Sequence, residues 1–422
     1  MYTCVRWPRP LTLRFIFLTL FILLTTACHS PDVAIEPAGK VHALQAVATA
    51  TPCNLPAVPP AASSSLAAFS HYSWQQFTAL NWPAQAGVRG QPDCSKKIGD
   101  AGVRVWETYK TTDQLFLPDA ANPGPWSAGE ITAFDLKYRA KANDALPVEE
   151  SIRQAVGGWL IDQYRNPTYY SISVNQNSYD YVVSQGFYDQ NRVANAAHIR
   201  FPDNALEVKA AWRILTPSDD SSRYHTMNAM VTRYDDQGNP SGKEQQKVGL
   251  VGFHIVRKAD NFPQWIWATF EHVDNTPDKS GQFASYYNPH CSGNYCTPNQ
   301  SPVANKQPFD EPNQLTRVTA IDSEVAAINQ QWQQQFEGTP FAYYQLVSPQ
   351  WPEDPLDPGN PQGTPTPGVV ANTVMESYIQ PTSSCMDCHS TARVPGNRVK
   401  SDYSFIFLFA QPVSSNPQQG AQ

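Results

Sequence analysis

Val248-Gly249-Leu250-Val251-Gly252-Phe253-His254-Ile255-Val256, followed after Lys258-Ala259-Asp260-Asn261-Phe262-Pro263 by Gln264-Trp265-Ile266-Trp267-Ala268-Thr269-Phe270-Glu271-His272-Val273, decides how this chain folds. Both runs are rich in β-branched and aromatic residues and bounded by turn formers, which predicts two strands. The turn-rich stretch between them predicts an antiparallel pair with a loop longer than a tight hairpin. Just upstream, Leu206, Val208, Ala210, Trp212 and Ile214 alternate with Glu207, Lys209 and Arg213, the pattern of a half-buried strand. Asp135 to Tyr138 and Ile172 to Val174 are shorter strand-like pieces.

Helical spacing flanks this β region. Leu66, Phe69, Ser73, Phe77 and Leu80 recur three or four apart until Pro83 stops them. Val318, Ile321, Val325, Ile328, Trp332 and Phe336 mark a second amphipathic helix, with Asp322 and Glu324 in its first turn, where the macrodipole favours acid. A long loop runs from Asn275 to about Pro312, and seven prolines between Pro349 and Pro367 predict a stiff, extended crossing. A helix from about Ala371 to Tyr378 and an apolar strand from Phe405 to Phe409 complete the folded part. The fold class is α+β: an antiparallel β-rich body with several helices and a C-terminal segment packed on it.

The first 27 residues read as an export signal. Arg6, Arg9 and Arg14 precede the apolar run Phe15 to Leu24, which Thr19 alone interrupts. That run is far shorter than the ~20 residues of a spanning helix. Leu24-Thr25-Thr26-Ala27-Cys28 is similar to a bacterial lipobox, which implies a lipid-anchored N-terminus at Cys28. Ordinary signal cleavage and an uncleaved anchor are the alternatives. His29, where an inner-membrane retention signal often has Asp, leans towards a periplasmic site on the outer membrane. Residues 28–65, rich in Ala, Pro, Val and Ser, read as a tether, 66–410 as one composite domain, and 411–422 as a disordered tail.

Loss of the three arginines takes the formal net charge from −7 to about −10. An acidic chain without a basic stripe interleaved with aromatics argues against nucleic acid as a partner. Eleven Trp supply flat groups for a core or a ligand pocket. Cys4 leaves with the signal. In an oxidising compartment Cys291 and Cys296 pair across Ser-Gly-Asn-Tyr, and Cys53 then pairs with Cys94 by elimination; a free or metal-binding pair is the alternative.

Cys385-Met386-Asp387-Cys388-His389 is a C-x-x-C-H motif, the signature of c-type haem attachment. Two thiols two residues apart reach two vinyl groups of one porphyrin, and the next residue turns its imidazole to the iron. One covalent haem c on Cys385, Cys388 and His389 is therefore expected. A thioredoxin-type redox pair would want a βαβ setting, and a structural zinc would need a fourth ligand.

On this motif the chain resembles bacterial c-type cytochromes. It is similar to exported cytochrome c family proteins in Val248 to Ile255, Gln264 to Asn275, Ala371 to Tyr378 and Ser384 to His389. The resemblance implies roles for Cys385, Cys388 and His389 only. In small soluble cytochromes c the motif lies early and a Met ligand follows it. Here only 33 residues follow His389, and none is Met or His. The haem segment, 369–410, is too small to enclose a porphyrin, so any second axial ligand must come from upstream.

His254, on a strand face with Val248, Leu250 and Val256, is the first candidate. His272, on a face with Ile266, Ala268 and Phe270, is the second, although a lone His on an apolar face is more often a hydrogen-bonded core residue. Met375, His225, Met227, Met230, His198 and His290 are weaker candidates, and Glu271 and Arg257 are possible pocket acid or base groups. Three functions are compatible with such a chain. These are an electron-transfer cytochrome with a protein redox partner, a haem enzyme of peroxidase or oxygenase type acting on a small molecule, and a haem-based ligand-binding or sensor protein.

Overall fold

The sheet begins from the two quoted runs. The first belongs to a long strand, β6 (Pro240–Ala259), and the second is β7 (Phe262–His272). They are antiparallel, and the pairing continues to Ala259 opposite Phe262, so the turn at Asp260-Asn261 is tight and not the longer loop expected. Asp and Asn suit such a turn, and the ladder slips next to Pro263, which has no N–H to give it.

A computed structural model describes residues 53–131, 135–136, 158–235, 240–279, 281–301 and 311–413. The signal segment, Cys28, the tether up to residue 52, Tyr138 and the tail from 414 lie outside the described residues. In chain order the remaining strands are β1 (Lys110–Thr111), β2 (Asp135–Leu136), β3 (Tyr169–Val174), β4 (Leu206–Ile214), β5 (Thr226–Tyr234), β8 (Tyr344–Pro352) and β9 (Pro365–Thr366). The helices are α1 (Leu66–Leu80), α2 (Thr112–Leu115), α3 (Gln176–Gln185), α4 (Gln190–Ala194), α5 (Ser323–Gln335) and α6 (Cys385–Ser390). One sheet runs β1-β3-β4-β6-β7-β8-β9, with β5 on the first half of β6 and β2 beside β5. Every pairing is antiparallel except β2 with β5. The architecture is α+β, as expected.

Both faces of the central strands are covered. On one, α1 and α5 lay down aromatic rings: Phe77 stacks on Phe270 and meets Phe253 edge-on, while Trp74 stacks on Trp332. Trp74 donates to Asn329, whose amide in turn donates to the carbonyl of Leu346, so that buried polar pair is satisfied. On the other face lies the chain from about 369 to 410. Asn372 donates to Thr269 Oγ1 and to the carbonyl of Phe270, Glu271 pairs with Arg317 and accepts both the N–H and the O–H of Thr373, and Gln350 donates to the carbonyl of Pro367.

Double coverage corrects the reading of β4 as half-buried. Glu207 is buried and accepts from Ser404, and Arg213 is buried between Asp162 and Asp219. The proline-rich segment is also not one extended crossing: β8 ends at Pro352 and the chain returns as β9, Trp351 facing Thr366.

Three further expectations shift locally. The second helix starts at Ser323, because Asp322 accepts the N–H of Glu324 as its N-cap; Val318 stands exposed outside it. Residues 371–378 form turns and no helix. Asn372 Oδ1 takes the N–H of Val374, a local bond that competes with the helical one. Phe405 to Phe409 is not a strand but a 3-10 turn, Ile406–Phe409, with Ile406 and Phe407 buried against the α3–α4 region.

The last part of the expected tether, from Cys53 to Ser65, lies against the body. Arg257 donates to the carbonyl of Pro56, and Ser65 caps α1. Both disulfides take the expected pairing, Cys53 with Cys94 and Cys291 with Cys296.

Candidate functional site

Cys385, Cys388 and His389 are placed by α6. Ser384 caps this short helix by accepting the N–H of Asp387, and Gln350 on β8 accepts the N–H of Met386. Met386 is buried, which pins the turn to the sheet and leaves the two thiols on a cavity wall. Among the described cysteines, these two alone are free thiols. The cavity measures about 250 Å³ and lies between the sheet and the C-terminal segment. Ile172, Lys209, His254 and Trp267 form its floor, and Glu376, Cys385, Cys388, His389 and Phe405 are among the residues of its walls.

The floor follows from register. Ile172 faces Lys209, Lys209 faces His254, and His254 faces Thr269, one row across four adjacent strands. The expected companions of His254 were only partly right. Val256 keeps its parity, but Val248 and Leu250 turn to the opposite face. The ladder between β4 and β6 slips at Ala211/Trp212, so that Leu250 faces Trp212. Trp212 and Phe253 both pack on Trp106, which fixes that face as the one turned away from the cavity.

His389 is held on three sides. Its ring lies 4.4 Å from that of Trp267 and 4.9 Å from that of Phe405, and its Nδ1–H donates to the carbonyl of Tyr403 at 2.7 Å. A carbonyl can only accept, so Nδ1 carries the proton and Nε2 is left unprotonated, with its lone pair free. The presenting turn is strained: Asp402 and Tyr403 have φ of 53° and 66°. It is held there because Lys258 pairs with both carboxylate oxygens of Asp402, and Trp265 donates to its carbonyl.

His254 is the second imidazole of the cavity. Its Nε2 is buried and makes no hydrogen bond, and the nearest carboxylate oxygen, Glu376 Oε2, is 3.7 Å away. Burial holds His254 well below the usual histidine range and pushes His389 down to about 4, so both rings are neutral at pH 7. Burial also raises Glu376 to about 7 and lowers Lys209. The Lys209 ammonium lies over the ring of Tyr170 at 5.2 Å.

Burial raises Cys388 to about 11 and Cys385 well above the thiol range. That is opposite to the low-pKa thiolate of a redox-active C-x-x-C pair. Among the described residues no three His, Cys, Asp or Glu side chains converge to hold a metal ion by themselves. Haem iron needs no such set, because the porphyrin supplies four of its bonds.

The other candidates lie elsewhere. His272 does share the side of Phe270, and that is the opposite face of the sheet. Its Nε2–H donates to the carbonyl of Arg223, its Nδ1 accepts the N–H of Asp274, and its ring stacks on Tyr224. With both nitrogens engaged, it is not a ligand to this cavity. His225 bonds Glu107 at 2.7 Å, Met375 is core beside Gly252, and Met230, His198 and His290 are exposed. Glu271 and Arg257 are structural, the former tying Arg317 and Thr373 to the sheet, the latter Pro56, Tyr72 and Asn204.

A wider open groove of about 720 Å³ near α3 and α4 has His198, Arg192 and Arg200 on its rim. It holds no cysteine and no unsatisfied buried group. Lys209, Glu376 and the Asp402–Tyr403 turn escaped sequence reasoning: Lys209 sits at an outward-looking strand position, and Glu376 lies in a stretch with a helical pattern.

No protein-family model, curated protein or solved structure matches the chain. The residues present nonetheless fit a covalently held porphyrin. Two free thiols are separated by two intervening residues, one imidazole has its second nitrogen fixed by a carbonyl, and another imidazole stands with its Nε2 unsatisfied in the same cavity.

Proposed function

We propose that this chain is an exported c-type haem protein that carries single electrons. Cys385 and Cys388 would hold the porphyrin through thioethers, and His389 and His254 would be its axial ligands. The observation that carries this reading is the imidazole of His254, its Nε2 buried and unbonded, in the floor of the cavity whose walls bear the motif. A neutral buried polar group without a partner costs on the order of 1–3 kcal/mol. An iron bond through Nδ1 would fix the ring with its proton on Nε2, and an acceptor for that proton removes the cost. The haem supplies a one-electron couple; the chain supplies its attachment, its ligands and shelter from water. Trp267 and Phe405, packed on His389, fix the plane of that ring.

The test is a visible spectrum of the purified protein, ferric and ferrous, with and without carbon monoxide. Two histidines predict a low-spin haem that does not take up carbon monoxide, and His254→Ala should turn it high-spin and open it. A wild-type protein that is high-spin and binds carbon monoxide at once contradicts the reading. It would move the assignment to a haem enzyme, which Lys209 and Glu376 in the same cavity favour as a second reading.

The lipobox-like site assigns Cys28 as the lipidated N-terminus that anchors the protein on the periplasmic side of a membrane. Mass spectrometry of the mature N-terminus checks this.

A further inference from the structure

We infer that Glu376 is a positioning residue for His254: its carboxylate accepts the Nε2–H of that imidazole and leaves Nδ1 for the haem side. The inference rests on the haem reading above and deepens it.

The two histidines of the cavity are built alike. His389 gives the proton of one ring nitrogen to a backbone carbonyl held in a strained turn, and its other nitrogen stays open. Histidines that bind metals are nearly always arranged in this way, the second nitrogen fixed by an oxygen acceptor that sets tautomer and ring angle. Among the described residues, the carboxylate that neighbours His254 Nε2 is that of Glu376. Nε2 is sealed from solvent, makes no hydrogen bond, and has Glu376 Oε2 as its carboxylate neighbour at 3.7 Å. That separation is too long for a hydrogen bond and asks for a closure of under an ångström.

Glu376 is placed to make that closure. It sits in the turn segment 371–378 and not on the sheet, and its Oε2 also accepts the N–H of Asn372 at 2.9 Å, which restricts the carboxyl group. Asn372 is itself tied to Thr269, the residue facing His254 across the ladder. The carboxylate is therefore carried by the loop that packs on the same strands as the imidazole it would hold.

A carboxylate acceptor makes an imidazole more basic and favours ferric over ferrous iron, so it lowers the reduction potential. The test uses the full chain carrying covalent haem. Glu376→Gln keeps an oxygen for the Asn372 amide and removes the charge. It should leave the ferric spectrum low-spin and raise the midpoint potential. In a His254→Ala background the same substitution should add no further shift, because the route through His254 is gone. An equal shift in both backgrounds would show that Glu376 acts through space as a bare charge and overturns the inference, as does no shift in either. In the wild type, the exchangeable ring proton of His254 should be protected from solvent; rapid exchange counts against the hydrogen bond whether or not the variant folds. If His254→Ala leaves the low-spin spectrum unchanged, the axial assignment itself fails, an outcome distinct from a failed Glu376 effect.

Discussion

Gly252→Ala should disturb the cavity from behind. Gly252 lies on β6 two residues before His254, facing the loop that leads to the motif. A Cβ built there meets Val374 Cγ2 at 2.8 Å, Met375 Cε at 3.1 Å and Ala211 Cβ at 3.2 Å. The Met375 terminus is flexible and yields cheaply. Val374 is stiff and Ala211 is fixed to a neighbouring strand, so the loop must move. Overpacking of this kind costs about 1–3 kcal/mol, and replacing a strand glycine returns about 0.5–1 kcal/mol. The net expectation is a loss of up to about 2.5 kcal/mol in urea unfolding with an unchanged slope. Because Val374 and Glu376 share that loop, the visible spectrum should shift as well. Gly249→Ala is the control: its Cβ meets Leu215 and Tyr224 at 2.9–3.1 Å, so it should destabilise similarly with an unaltered spectrum. If Gly252→Ala is as stable as wild type and spectrally silent, the close packing of loop 371–378 on the sheet is not what shapes the site.

Three other outcomes follow from buried groups and cross-links. Burial pushes Glu207 up to about 7 against an ordinary 4.5, with Asp402 adding to the rise, so the folded state binds its proton more tightly than the unfolded chain. Its contribution is full below pH 4.5 and lost as pH rises through 7; Glu207→Gln should flatten that decline and add up to about 3 kcal/mol at pH 8, measured by denaturation across pH. Arg213→Met leaves Asp162 buried without its cation and should cost about 3–5 kcal/mol in chemical unfolding; a loss under 1 kcal/mol would refute the pairing. Removing the Cys53–Cys94 bridge by a double Ser substitution opens a loop of separation 41 and should cost about 4 kcal/mol, read as a lower unfolding midpoint.

The sheet was legible because its strands are dense in β-branched and aromatic residues. What pattern did not reveal lies where a local bond or a bulge overrides periodicity. Parity along β6 predicts Val248 and Leu250 beside His254, and one slipped residue in the ladder sends them to the other face. Glu207 and Arg213 look solvated in the alternating pattern of β4; the C-terminal segment covers Glu207, and Asp162 and Asp219 enclose Arg213. Residues 371–378 carry a helical pattern, yet the side chains of Asn372 and Thr373 are spent on the sheet. The motif was read from spacing alone, and its surroundings could not be. Lys209 and Glu376 come from segments far apart in sequence and meet only because β4 and the C-terminal loop share a cavity.

The central claim is covalent haem on Cys385 and Cys388, and the direct measurement is the intact mass of the protein produced with a c-type maturation system. The account predicts a mass greater than that of the mature polypeptide by one haem, with haem staining that survives denaturing electrophoresis and disappears in Cys385→Ala/Cys388→Ala. A polypeptide of unmodified mass, with both thiols free or joined to each other, would contradict it.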